Sequence, residues 1–307
     1  MSPITPRTKN NMRFTISLPK RLGLFLLVTI LCFVISSVLV GVVINVFGMT
    51  APSTRILAVI QDLVLFMLPA LVTAMLVTRL PATLLMLDRR PDGRMLMWGL
   101  LALVLAVPAM ETLIAWNNAI QLPPAIEEQL RQSEMQAQKM IEVMLGGHNA
   151  GSLVMGILLV GMLAPLAEEL FFRGCLQRLF TTGGMNGHVA VWLTAGIFSA
   201  LHGQVYGFVP RMVLGALFGY AALWGRSLWV PVLMHALNNT LYVVARYVGQ
   251  GSGEIAIAGD DGGNLLMTAA SALLTVVCVA MMYRCRVRPA TTADAAAPDN
   301  ADGSHKA

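Results

Sequence analysis

Charge is scarce in this sequence. Of its 307 residues only 12% are Asp, Glu, Lys or Arg, roughly half the share of an ordinary soluble domain, while 56% are apolar. That balance excludes a water-soluble globule. Cysteine is scarce too: four in so long a chain cannot build a disulfide framework. No CxxC, CxxH or HExxH spacing occurs, so zinc-finger and zincin readings fall away. A net charge of +5 would suggest nucleic acid in a soluble protein, but here the basic residues lie between apolar runs. The acidic partner this implies is the phospholipid bilayer, and nucleic acid is not expected as a partner.

A membrane-spanning helix needs about 20 largely apolar residues to cross about 30 Å of hydrocarbon. Runs of that kind occupy 22–47, 56–77, 95–116, 152–172 and 264–283, and three shorter ones occupy 190–201, 212–224 and 228–244. The first run is too long for the apolar core of a cleaved signal peptide and reads as a retained helix. The short segments between the last three runs read as turns. The fold class is therefore all-α, a multi-pass transmembrane helical bundle of about eight spans.

Orientation follows from Lys and Arg. With the N-terminus inside, the inner segments hold Arg7, Lys9, Arg13, Lys20, Arg21, Arg79, Arg89, Arg90, Arg94, Arg178, Arg226, Arg284, Arg286, Arg288 and Lys306. The outer segments hold Arg55, Arg131, Lys139, Arg211 and Arg246. With Arg173 set aside as part of a motif, fifteen stand against five, which predicts an N-in, C-in topology. The expected organisation is a basic cytoplasmic N-terminus at 1–21, three helices in 22–116 and an extracytoplasmic amphipathic segment at 117–150. A core follows at 151–244, then a loop and last helix at 245–283 and a cytoplasmic tail at 284–307. After the start signal LPP, Ile126, Leu130, Met140, Ile141 and Met144 recur at roughly helical spacing, predicting a surface helix. The tail from Pro289, built of Ala, Asp and Thr, has too little apolar bulk to fold.

The informative residues are the polar ones that interrupt apolar runs, because an ionisable group at membrane depth needs a partner or a job. LAEELFFRG carries Glu168, Glu169 and Arg173; GIFSALHG carries Phe198 and His202; PVLMHALNN carries His235 and Asn239. Glu169 and Arg173 are four apart and can pair on one helix face. Glu168, rotated by about 100°, faces a different neighbour and is a candidate general base. His235 and Asn239, also four apart, offer an imidazole and a carboxamide to one point, plausible donors to an oxyanion. Each group has a plainer reading: a structural ion pair, a histidine bonded to a neighbouring carbonyl, an interhelical asparagine. Their convergence on three helices favours a site. Asp62 and Glu111 are isolated membrane acids expected near interfaces or in pairs. Gly215 and Gly219 form a GxxxG spacing that predicts close helix packing, not ligand binding.

In that order on successive apolar segments, EExxxR (168–173), FxxxH (198–202) and HxxxN (235–239) resemble the CPBP intramembrane proteases. That family includes type II CAAX prenyl endopeptidases and bacteriocin-processing or immunity relatives. The resemblance covers about 151–244. It implies an intramembrane endopeptidase (a hydrolase) whose site opens toward the cytoplasm. In it, Glu168 with His202 would activate water, His235 and Asn239 would stabilise the oxyanion, and Glu169, Arg173 and Phe198 would organise the site. The family has been discussed both as metal-dependent and as glutamate-dependent. If zinc were used, Glu168, His202 and His235 would be its ligands, but the spacing of two histidines on one helix is missing, and a metal-free mechanism without cofactor is favoured. Substrates would be prenylated or leader peptides or membrane proteins, in a bacterial inner membrane. The rivals are a zinc-dependent version of the same protease, a proton-relaying transporter, and a non-catalytic scaffold or bacteriocin self-immunity protein. The absence of an inverted repeat speaks against the transporter.

Overall fold

The computed structural model describes residues 14, 16–120, 123–147, 149–249 and 264–287. The basic residues Arg7, Lys9 and Arg13 and the tail from Pro289 lie outside the described residues. Apart from one isolated bridge between Phe14 and Thr78, no strand pairing occurs among the described residues. The chain is an all-α bundle.

Each expected apolar run is a helix. They are α1 (Leu18–Phe47) and α2 (Ala51–Val77), then, after the single turn α3 (Pro81–Leu84), the pair α4 (Gly93–Leu105) and α5 (Val107–Asn118). There follow α6 (Pro124–Leu145), α7 (Ala150–Thr182), α8 (Gly187–Ala200), α9 (Phe208–Gly225), α10 (Trp229–Val248) and α11 (Leu265–Arg284). By length and apolarity α1, α2, α7, α9 and α11 can each cross a membrane, and α4 with α5 makes a sixth if the bent pair is one span. The other two differ for plain reasons. With 14 residues, α8 is about 21 Å long and falls short of the hydrocarbon thickness. In α10 the apolar run is broken by His235, Asn238, Asn239, Thr240 and Arg246.

Helix ends are marked by side chains. Thr50 caps α2 in a reciprocal box with Ser53, Asp92 caps α4 through Met95 N–H, and Asn149 caps α7 through Ser152 N–H. Prolines shape the interiors. A proline inside a helix removes one N–H and collides with the carbonyl four residues earlier. In α2 and α7 the turn widens to i→i−5 hydrogen bonding just before Pro69 and Pro165, with Leu68 N–H bonded to Leu63 O and Ala164 N–H to Leu159 O. Between α4 and α5, Pro108 accompanies a 50° bend instead. Ser271 of α11 repairs that break: its Oγ accepts from Ala109 N–H at 3.1 Å and donates to Leu105 O at 2.6 Å.

The core has two large parts and a small third one, Val191, Ala195 and Ala216, between α8 and α9. Phe25, Phe171, Phe172 and Phe198 sit in one large part, beside residues of α2 and α3; Met95, Leu103, Phe218, Met234 and Met282 join α4, α9, α10 and α11 in the other. The outermost helices are α1 and α11, with 17% of their apolar windows buried against 50% for α9. Amphipathic α6 buries no side chain. It is fastened at its C-terminal end, where Arg55 donates to the carbonyls of Met144 and Leu145 and Glu142 pairs with Arg246. Those carbonyls are the orphans of a helix end, and the arginine satisfies them.

Candidate active site

The site is built where α7 crosses α8, α9 and α10. Glu168 and Glu169 close a short α-helical stretch of α7, and Arg173 lies in a second widened stretch, Leu170–Leu176. Glu169 and Arg173 are wholly buried. One carboxylate oxygen, Oε1 of Glu169, accepts from Arg173 Nη1 at 2.8 Å and from His235 Nδ1 at 2.9 Å. Because a carboxylate only accepts, His235 carries its proton on Nδ1 and turns Nε2 toward Glu168, whose Oε2 lies 3.8 Å away.

Arg173 is held from its other side as well. Its Nη2 donates to Gly215 O at 2.9 Å, and one turn along Gln177 Nε2 donates to Gly219 O at 3.0 Å. A Cβ on Gly215 would stand 3.2 Å from both Arg173 Nη2 and Phe198 Cδ1, and one on Gly219 would stand 2.9 Å from Gln177 Oε1. The GxxxG spacing therefore serves close packing, as its sequence suggests. What it admits is a polar ladder between α7 and α9. Gln177 is a member that carried no motif signal.

Phe198 is the hub. Its ring is 4.7 Å from the Arg173 guanidinium, 4.8 Å from the His202 ring and 6.1 Å from the His235 ring, while Phe218 stacks on His235 at 4.9 Å. His202 follows the end of α8, is exposed, and donates from Nδ1 to Phe198 O at 2.8 Å. In the neutral ring this leaves the Nε2 lone pair free. Asn239 lies one turn beyond His235; its Nδ2 donates to Val160 O at 3.1 Å and its Oδ1 accepts from Asn238 at 3.2 Å.

The structure thus gathers Glu168, Glu169, Arg173, Phe198 and His235 into one cluster. His202 joins it through Phe198, without direct contact to Glu168, and Asn239 stands at its edge. Glu168 faces His235, where the resemblance to the CPBP proteases implies a partnership with His202. Asp62, buried in the widened turn of α2, feels the charge of Glu168, whereas Glu111 is half-buried on α5. The buried Asn117 was not singled out by sequence: it donates to Val205 O and accepts from Val209 N–H, clamping the loop that carries His202. Glu134 of α6 accepts from Tyr206 N–H in the same loop. Among the described residues no three His, Cys, Asp or Glu side chains are grouped to hold a metal ion. In the set Glu168, His202 and His235, both Nδ1 atoms are held by protein acceptors and both Nε2 atoms keep their lone pairs, while His202 makes no hydrogen bond to Glu168 among the described residues.

Residues 150–241 match the family model described as type II CAAX prenyl endopeptidase Rce1-like. This core is similar to the Rce1-like endopeptidases. The match spans just under a third of the chain and contains every motif residue from Glu168 to Asn239. It bears out the resemblance to the CPBP proteases over this core, which is similar to CAAX-type intramembrane proteases, and the apolar helices make the chain a multi-pass membrane protein. No curated protein and no solved structure matches the chain.

Proposed function

We propose that the protein is an intramembrane endopeptidase built on about eight membrane helices, of which the short α8 and the interrupted α10 need not cross fully, with N- and C-termini in the cytoplasm of a bacterium. It hydrolyses a peptide bond of a prenylated or leader peptide or of a membrane protein, without cofactor. The observation that carries this reading is the contrast within one cluster: Glu169 is locked by Arg173 and His235, whereas Glu168 accepts no hydrogen bond among the described residues and retains 13% side-chain exposure. A carboxylate with a free lone pair beside an imidazole is what a water-activating base requires.

Glu168 takes one proton from water, while His202 Nε2 accepts the hydrogen bond of the other. The water oxygen adds to the scissile carbonyl carbon. The second amide hydrogen of Asn239 donates to the oxygen that becomes negative, while His235, its one ring proton held by Glu169, positions Glu168 instead of donating to that oxygen. Glu168 returns the proton to the amide nitrogen, the C–N bond breaks, and a carboxylic acid and an amine form, the acid proton passing to the amine as the products leave as carboxylate and ammonium. In proteoliposomes supplied with a quenched-fluorescent prenylated CAAX peptide, Glu168→Gln and His202→Ala each lower kcat by about 10²–10⁴. Full cleavage by both variants would overturn the reading and favour a scaffold.

A further inference from the structure

By sequence Arg211 is one of five basic residues on the outer side, a charge that sets topology. The fold turns it inward. Arg211 stands in the first turn of α9, and its guanidinium folds back over Gly207. Nη2 donates to Gln204 Oε1 at 2.7 Å, and a Cβ at position 207 would lie 2.8 Å from Nη2 and 3.4 Å from Nη1. Only a residue without a side chain leaves the guanidinium that place. The other arm of the fork is unused: Nη1 is buried and has no hydrogen-bond partner among the described residues. A buried donor without an acceptor is costly, which calls for an acceptor that arrives with a ligand.

Its surroundings say which ligand. Arg211 lies one turn before Gly215, whose carbonyl accepts from Arg173 and where a Cβ would meet Phe198, so it stands on the face of α9 that fronts the cluster, where its charge acts on Glu168 and His202. Among the described residues no ion pair joins Arg211 to Glu168 or to Glu134, so the guanidinium stands near the base without closing on it. The oxyanion donors suggested by sequence are more committed: His235 Nδ1 is held by Glu169, and one Asn239 amide hydrogen by Val160 O.

We propose that Arg211 is a further catalytic residue, whose free Nη1–H donates to the scissile carbonyl oxygen as water adds and that oxygen becomes negative. Arg211 exchanges no proton; the bonds made and broken are those of the hydrolysis above, and the assignment rests on that reading. Gln204 fixes the fork, and Gly207 leaves it room.

The experiment compares wild type, R211Q and R211K in proteoliposomes on the prenylated CAAX reporter. It also measures affinity for the same peptide with a tetrahedral, anionic phosphinate at the scissile bond, and for the cleaved product peptide. R211Q is expected to lower kcat by about 10²–10³ with KM within about threefold, and to lose the same factor in phosphinate affinity while binding the product peptide as wild type does. R211K recovers part of both losses, because an ammonium keeps the charge but not the fork. Wild-type kcat in R211Q, or equal losses for phosphinate and product peptide, overturns the role of Arg211 while wild-type cleavage leaves the peptidase reading standing. A wild type that neither cleaves the reporter nor prefers the phosphinate overturns both.

Discussion

Glu168 and Glu169 are neighbours in sequence and opposites in circumstance. Glu169 sits at zero exposure with a guanidinium and an imidazole on one oxygen, whereas Glu168 is partly open and holds only the longer contact to His235. Removing one member of a buried ion pair leaves an uncompensated charge, worth about 3–5 kcal/mol. Glu169→Gln is therefore expected to destabilise the protein by that amount in reversible unfolding from bicelles. Glu168→Gln, which breaks no close pair, should stay within about 1 kcal/mol of wild type while losing activity. Equal destabilisation by the two changes would show that the division of labour between them is wrong. The same logic applies to Gly219, where Ala would place a methyl 2.9 Å from Gln177 Oε1 and from Val191. Overpacking of that kind costs about 1–3 kcal/mol. At Gly41 a Cβ meets nothing within 4 Å, so Gly41→Ala in α1 should be neutral or stabilising by up to about 1 kcal/mol. A pair of melting curves checks both.

At the scale of elements, the breaks in the helices were less legible than the helices. Apolar runs bounded by charge or turn residues located the membrane helices, with α4 and α5 read as one, because in a bilayer the backbone has few alternatives. A period of 3.6 carries no record of where a turn widens, so the stretches before Pro69 and Pro165 and the one holding Arg173 could not be read from it. The bend at Pro108 is completed from a distant helix. In hydrocarbon the separated Ala109 N–H and Leu105 C=O would each go unpaired without Ser271. Ser271→Ala should thus cost about 1–3 kcal/mol. If Pro108→Ala lets α4 and α5 straighten and bond directly, the cost of Ser271→Ala falls in that background. A double-mutant cycle reads the difference as a coupling of about 0.5–3 kcal/mol; strict additivity would mean that Ser271 does not splint the bend.

At the scale of the molecule, the three motifs located the cluster but not its wiring. Side-chain identity and spacing on one helix pair Glu169 with Arg173; they cannot tell that Glu168 reaches His235 across helices, or that Arg211, counted as a flank, lies beside the site. The same fold gives orientation a consequence for the site. The loop carrying His202 is gripped by Asn117 at the end of α5 and by Glu134 of α6, so α6 and this loop belong to one face. In the proposed N-in topology, which the excess of Lys and Arg on the opposite flanks supports, that face lies outside the cytoplasm. Single cysteines at Ser133 in α6 and at Arg90 before α4, in a background with the native cysteines replaced by Ala or Ser, test this in intact cells with a membrane-impermeant maleimide. Ser133→Cys is expected to label from outside, and Arg90→Cys only after the membrane is permeabilised. The reverse pattern would put α6 and the His202 loop in the cytoplasm. Substrate would then approach the short helix α8 from the inner side, and the charge count would have failed through Arg55, Arg131, Arg211 and Arg246, residues that the fold spends on carbonyl caps, ring contacts and ion pairs.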